Sequence, residues 1–272
     1  MGLRERLWPG AGSRTGLAFT EQRVDLYQLV HDGEFERQSL PLKRGVLRAS
    51  AREPNLQAPS ELARRCLEAF GQLQTGSAVL LLPDLSVSAS MVDRPGAGSE
   101  LISLSGLTND RLVMDWWSYP GGGTLGVCAP RAVVSQYEAV RDALGLNPGW
   151  IDTQSGALLP RLASRPEHRS DRLSCEIQLY PAHYSMALFQ AGRLLDFRRR
   201  LRTVEDATAP LDELDRQRQL LGEPSLGCVG ISGSGASELA GRLHAELGDG
   251  RVRFDDDDSR AAQAIWDLIA RA

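Results

Sequence analysis

LSCEIQLYPAHYSMALFQAGRLLDFRRRL, residues 173–201, reads as three strands in succession. Leu173–Tyr180 and His183–Gln190 are rich in apolar and aromatic residues, and Leu194–Leu201 follows across Gln190-Ala191-Gly192-Arg193. A glycine at that place accepts the positive φ that a tight hairpin needs. The same pattern stands near the beginning, in TGLAFTEQRVDLYQLVHDGEFERQSLPL, residues 15–42. There Val24, Leu26 and Val30 alternate, with Gln28 as an interruption, and His31-Asp32-Gly33-Glu34 is a turn signal. Gly33 and Gly192 hold the same place in the two triplets, 159 residues apart. Each triplet then runs into alternating helix and strand signals, so the chain reads as mixed α/β in two similar halves.

Between the triplets, PSELARRCLEAFGQL puts Leu62, Cys66, Phe70 and Leu73 on one helical stripe, with Ser60 as the expected N-cap. AVLLLPD is a short apolar strand closed by proline, and RLVMDWWSY and TLGVCAP are two more strands joined through Pro120-Gly121-Gly122-Gly123. Pro130 opens a helix whose stripe is Val133, Tyr137, Val140 and Leu144, stopped by Gly145. GWIDTQ and a short helix around SGALLPRLA follow, and RPEHRSDR, residues 165–172, has the composition of an exposed linker. Beyond the second triplet, residues 210–221 are helical, LGCVGIS is a strand, ASELAGRLHAELG a helix, RVRF a strand, and SRAAQAIWDLIARA a last helix.

Composition narrows the functions. The 272 residues carry 31 basic and 35 acidic side chains, a balance without the footprint of a nucleic-acid binder. Lys43 is the only lysine, which leaves no good candidate for a Schiff base or a phosphate-binding ammonium. Cys66, Cys128, Cys175 and Cys228 lie far apart in apolar runs and read as buried reduced thiols. With the scattered His31, His168, His183 and His244 they form no metal-ligand spacing. No apolar run approaches the length that spans a bilayer, and no secretory leader is visible. The expectation is a cytoplasmic protein whose membrane contact comes through a partner.

One stretch invites a nucleotide. GISGSGASELAG, residues 230–241, ends an apolar strand in small residues and begins a helix, the arrangement in which a backbone approaches phosphate. Its candidate loop is Ser232, Gly233, Ser234 and Gly235.

Taken in order along the chain, these segments resemble the PilM family, the actin-like proteins of type IV pilus assembly, and the cytoplasmic domain of the type II secretion protein GspL. TGLAFTEQRVDLYQL is similar to the family's opening strand pair, SAVLLLPDLSVSASMV to the strand that begins its inserted subdomain, and VGISGSGASELAGRLHAELG to its second-lobe glycine segment. TLGVCAPRAVVSQYEAVRDALGLNPGWIDTQSGALL is the nearest likeness. The resemblance implies a duplicated actin-like α/β fold of two lobes, residues 1–164 and 165–272. A small subdomain is inserted in the first lobe at about residues 78–128. The second lobe is reduced, since only about two dozen residues separate FRRRL from LGCVGIS, where the family usually has a nucleotide-contacting subdomain.

The departures argue against catalysis. The family's first meander carries an Asp-x-Gly phosphate turn where this chain has Ala18, Phe19 and Thr20. At the second turn, Glu176 stands near the acidic place, but Leu179 to Pro181 occupy the turn itself. Alanine cannot hold Mg²⁺ and proline removes an N–H. The expectation is therefore a non-catalytic assembly protein without cofactor or metal. The resemblance implies that it binds the cytoplasmic N-terminal segment of a PilN-like single-span membrane protein, in a groove bordered by Val79, Leu81, Pro83, Val113, Trp116 and Trp117. The rival is an actin-like ATPase or kinase-type enzyme with divergent phosphate loops and Mg-ATP.

Other motifs read as structural. Pro120-Gly121-Gly122-Gly123-Thr124 is expected to be a flexible hairpin, and Asp255 to Asp258 a solvated acidic loop that lacks calcium-loop spacing. Arg198, Arg199, Arg200 and Arg202 read as a charged edge strand that resists sheet-to-sheet association. Trp116 and Trp117 face opposite sides of a strand, so one of them is expected to be exposed for docking.

Overall fold

Two five-stranded sheets repeat one topology. In the first, a meander of β1 (Thr15–Phe19), β2 (Arg23–Leu29) and β3 (Phe35–Pro41) is extended by β4 (Ala78–Leu82) and β8 (Ile151–Thr153) in the order β3-β2-β1-β4-β8. In the second, β9 (Leu173–Leu179), β10 (His183–Gln190) and β11 (Arg193–Leu201) are extended by β12 (Leu226–Gly233) and β13 (Val252–Asp255) in the order β11-β10-β9-β12-β13. Both meanders pair antiparallel, and the strands added to each run parallel to it. The computed structural model describes residues 15–29, 35–71, 73, 76–92, 94–96, 98–119, 122–202, 208–222, 226–233, 235–247, 251–255 and 265. The turn expected at His31-Asp32-Gly33-Glu34, Asp256 to Asp258, and all of the last helix but Ile265 lie outside them.

The central strands read as unbroken apolar runs because both of their faces are covered. β4, AVLLL, is buried at every position, as is β9. Outside the first sheet, α1 (Pro59–Phe70) and α3 (Arg131–Ala143) bring Leu62, Cys66, Phe70, Val133, Tyr137 and Val140 onto Leu17, Leu26 and Leu80. Outside the second, α5 (Ala209–Leu221) and α6 (Ala236–Leu247) bring Leu214, Leu239 and Leu243 onto Cys175, Ile177 and Ile231. The inner faces of both sheets meet in one cluster, which joins Ala18, Tyr27, Val79 and Leu81 to Ala187, Phe189 and Phe197 through α4 (Gln154–Ala163). The two halves thus share a core in addition to their own.

A third sheet interrupts the first lobe: β5 (Ser88–Val92), β6 (Leu112–Ser118) and β7 (Thr124–Pro130), in the order β5-β7-β6, with α2 (Gly98–Ser105) on one face. Its first strand is β5, because β4 is committed by parallel pairing to β1 and β8. The inserted unit therefore spans residues 88–130, in place of the 78–128 read from the sequence. Its other face, through Trp117, Leu125, Val127, Ala89 and Met91, joins the shared core. Between β11 and β12 the described residues form one helix, α5, ended by Gly222 in a left-handed conformation.

Local readings hold with three changes. The stripe of α3 is buried as expected and Gly145 ends that helix at φ +72°, while α1 buries Leu62, Cys66 and Phe70 but ends there, leaving Leu73 beyond it and partly buried. The N-cap of α1 is Ala58, without a side-chain bond, instead of Ser60. Pro59 supplies the fixed φ of a first helical residue and starts the helix two positions early. Residues 165–172 are an exposed linker only in part: residues 169–172 are exposed, but Pro166–Arg169 forms a short 3₁₀ turn in which His168 is fully buried.

Candidate functional site

The two lobes meet at a cleft floored by the ends of β4, β1 and β9. Its walls are the β1–β2 turn at Phe19, Thr20, Glu21 and Gln22, and the β9–β10 turn at Tyr180, Pro181, Ala182 and His183. Both turns close with the same backbone bond, Thr20 N–H to the Arg23 carbonyl at 2.9 Å and Tyr180 N–H to the His183 carbonyl at 2.9 Å. In the first, Thr20 Oγ1 also accepts the N–H groups of Gln22 (3.4 Å) and Arg23 (3.0 Å). In the second, Pro181 has no N–H to offer and the Tyr180 and His183 rings stack 4.3 Å apart. The cavity between the turns measures about 80 Å³ and its walls are mostly apolar. Small-molecule sites usually enclose about 300–1,000 Å³.

Across the floor of this cleft the lobes exchange charges. Arg199, on β11, points inward and donates to the main-chain carbonyls of Asp84 and Val87, both at 3.0 Å, and to Thr153 Oγ1 at 2.8 Å. Its guanidinium lies 3.9 Å from the Asp84 carboxylate. Asp84 is buried, accepts the Ser155 N–H at 3.1 Å, and has His183 Nε2 at 3.4 Å. Burial alone would raise the Asp84 pKa, but the Arg199 charge, with His183 and the Ser155 N–H, holds the carboxyl well below the usual carboxylate range. β11 is an edge strand with Arg200 exposed, as read from the sequence, but Arg199 departs from that reading. Arg199 is only 7% exposed, while Arg198 pairs with Asp196 and Glu213. Alternation along β11 separates the two, sending one side chain to the junction and its neighbour to the outer face.

The glycine loop is packed against its neighbour strand. Ser232 is fully buried and its hydroxyl donates to the Ile177 carbonyl at 3.3 Å. Gly233, at φ +96°, lies so close to the Leu179 carbonyl that a Cβ would overlap it, and Gly235 is exposed at φ +82°. Ser234 lies outside the described residues. The small residues therefore answer to the close β12–β9 approach.

Glu176 is a buried carboxylate in the middle of β9, away from the turn. Its Oε1 accepts from Arg165 (2.9 Å) and Arg253 (2.6 Å) and lies 2.9 Å from His168 Nε2. His168 Nδ1 is 2.7 Å from Ser174 Oγ, and the ring stacks on Phe189 at 4.5 Å. This cluster pins the connection between the lobes to the second sheet. Among the described residues, no group of three or more His, Cys, Asp or Glu is placed to hold a metal.

The residues expected to border a groove divide sharply. Val79, Leu81, Val113 and Trp117 are buried, so they shape that region from beneath, while Pro83 and Trp116 are half-buried. Neither tryptophan is exposed: Trp116 packs towards α2 and Trp117 into the shared core. The expectation of one exposed indole fails because the inserted sheet is covered on both faces. Beside Trp117 lies a shallow groove of about 20 Å³ between the inserted sheet and the end of the first sheet, with Val87, Asp115, Trp150, Asp152 and Thr153 around it. Asp115, Trp150, Asp152 and Thr153 carry no motif. They became legible only when the fold brought β6 beside β8. Of the β6–β7 hairpin, Pro120 and Gly121 lie outside the described residues. Gly122 and Gly123 adopt φ +100° and +91°, and the Gly123 Cα abuts the Leu194 carbonyl of the second lobe.

No protein-family model matches the chain and no curated protein sequence matches it. Among solved structures, it is similar to the PilM–PilN type IV pilus biogenesis complex, with a TM-score of 0.69 at 16% identity over 96% of this chain and 98% of that one. It is similar at TM-score 0.68 and 7% identity to a Bacteroides thetaiotaomicron protein with an actin-like ATPase fold and unknown function, over 93% of this chain and 94% of that one. The fold is actin-like. The cytoplasmic domain of EpsL, an inner-membrane component of the Vibrio cholerae type II secretion system, aligns more loosely, with a TM-score of 0.44 at 10% identity over 80% of each chain. The actin-like duplication accounts for the paired turns at Thr20–Arg23 and Tyr180–His183, which are the corresponding hairpins of the two lobes. No described helix of this actin-like chain is long and apolar enough to cross a membrane.

Proposed function

We propose that this chain is a non-catalytic assembly protein of a type IV pilus or type II secretion platform, and that its groove beside Trp117 receives the cytoplasmic N-terminal segment of a PilN-like membrane protein. The likeness to PilM, spanning nearly the full length of both chains in a complex that contains PilN, carries this reading. The groove's chemistry agrees with it. The half-buried Trp150 and Asp152 on its rim suit a segment that mixes apolar and basic residues, and cytoplasmic tails beside a membrane span are enriched in Lys and Arg. The protein would then lie in the cytoplasm, held at the inner membrane by its partner.

The ATPase alternative finds less support. The Gln22 and Arg23 amides of the first turn are taken by Thr20, the second turn contains proline, and Ser232 is spent on a main-chain carbonyl. The decisive experiment is calorimetric titration of the protein with a synthetic peptide of the cytoplasmic N-terminal segment of a PilN-like protein from the same genome, against a scrambled peptide. Saturable binding that weakens about tenfold in Asp152→Arg, a cost of about 1.4 kcal/mol, is expected. Equal binding of both peptides, or none, overturns the reading.

A further inference from the structure

We infer that Arg199 couples the docking groove to the junction between the lobes, so that the groove keeps its shape only while the lobes are latched. The inference rests on the reading of that groove as the partner site. Its basis is the double placement of one guanidinium's contacts. Val87 and Thr153, which Arg199 bonds, line the groove. Asp84, whose carbonyl it also bonds, lines the cleft with His183. Arg199 itself belongs to the second lobe, while all three of its partners belong to the first.

The contacts fall where movement would be transmitted. Residues 83–87 form the joint at which the chain leaves β4 of the first sheet and enters β5 of the inserted sheet. Arg199 fixes both ends of that joint through carbonyl oxygens, which no side-chain substitution in the joint could replace. Thr153 is also the N-cap of α4, accepting the Gly156 N–H at 3.1 Å, and Asp84 accepts the next N–H back, from Ser155. Separation of the lobes would withdraw Arg199 and release the groove's floor and the start of α4 together. Coupling between sites is reciprocal, so a segment seated in the groove would hold the lobes closed. Arg199 thus offers a partner-sensitive tie between the lobes.

The test uses hydrogen exchange of the full chain, wild type against Arg199→Met and Arg199→Lys. The reporters are the N–H groups of Ser155 and Gly156 beside the groove and of Tyr180 in the cleft, each with a defined acceptor. Coupling predicts that Arg199→Met speeds exchange about tenfold or more at both places, leaves the central amides of β9 and β12 unchanged, and that Arg199→Lys falls between. Faster exchange at only one place, or an equal rise in β9 and β12, would mean an ordinary stabilising contact and overturns the inference. Arg199→Lys carries the same test if Arg199→Met does not fold. The PilN-like peptide then supplies the reciprocal measurement: bound to wild type, it should slow exchange at Tyr180, on the far side of Arg199. A peptide that binds without slowing Tyr180 also overturns the coupling. A peptide that does not bind overturns the proposed function, while the comparison of variants without peptide still decides the tie.

Discussion

Thr20 Oγ1 accepts the Arg23 N–H at 3.0 Å and gives its own proton to the Arg23 carbonyl at the same distance. A hairpin that cradles phosphate needs N–H groups turned outward and unspent. Here a side chain has taken them from inside the turn. The corresponding turn in the second lobe gives the same result by other means, with Pro181 supplying no N–H at all. By two unrelated local routes, Thr20 and Pro181 each reduce the N–H groups that their hairpin could turn toward an anion.

The first prediction follows from that loss. Thermal unfolding with millimolar Mg-ATP should leave Tm unchanged in wild type and in Thr20→Gly, because the second turn still contains Pro181 when the first is opened. A ligand at a hundred times its Kd stabilises by about 2.7 kcal/mol, which a melting curve resolves. A saturable rise in Tm would restore the ATPase reading.

The duplication was legible because it is written in local chemistry. Alternation in Val24 and Leu26, and the Ala191-Gly192 turn, with both residues at positive φ, need no distant partner to be recognised. The site was not legible in the same way. Asp84 ends LLLPD as an ordinary loop acid, and Arg199 sits within an arginine run; nothing local links residues 115 positions apart. His168 misled for the opposite reason. Its neighbours Arg165, Glu167 and Arg169 are polar, yet Arg165 pairs with the buried Glu176 and Glu167 with Arg253, while the imidazole itself enters the core against Glu176. With the two tryptophans, strand alternation correctly separated the faces, but only the fold supplies α2 and the shared core that cover them.

Asp84 should make stability depend on acid. Its folded pKa lies below its unfolded value of about 3.9, so its contribution is complete above that value. It is lost as pH falls further, when the unfolded state takes up the proton first. Asp84→Asn leaves the Arg199 guanidinium buried without its charge partner, and should cost about 3 kcal/mol near neutral pH. Denaturant melts of wild type and variant should begin to approach each other below about pH 4 and keep closing as the pH falls towards the folded pKa. A gap that stays constant into acid would mean that the carboxylate charge contributes nothing to the junction.

Gly123 should tolerate no side chain. At φ +91° any other residue is strained, and a Cβ would strike the Leu194 carbonyl through which the inserted sheet abuts the second lobe. Gly45 provides the comparison, since at φ +87° its Cβ would meet nothing within 4 Å. Both alanine variants carry backbone strain of about 1–3 kcal/mol. Gly123→Ala should exceed Gly45→Ala by at least about 1 kcal/mol, because the main chain must also move. Equal losses in urea melts would show that the hairpin can retreat from Leu194 freely.

The thiols should be inert until the chain unfolds. Burial pushes Cys66 up to about 12 and Cys128 up to about 11. Burial likewise raises Cys228 to about 11 and Cys175 well above its ordinary value, with the Glu176 carboxylate adding to both shifts. The thiolate is the reactive species, so at pH 8 the folded chain should consume a disulfide reagent at least about a hundredfold more slowly than the denatured chain. Cys228, which alone of the four is half-buried, should react first. The same shifts set the alkaline limit of stability. Thiols kept protonated by the fold contribute fully below their unfolded pKa of about 8.5, and that contribution declines as pH rises, because the unfolded state ionises first. Melting temperature should therefore fall between pH 8 and pH 10. Four thiols that react at once in the native chain at pH 8 would contradict the burial on which both expectations stand.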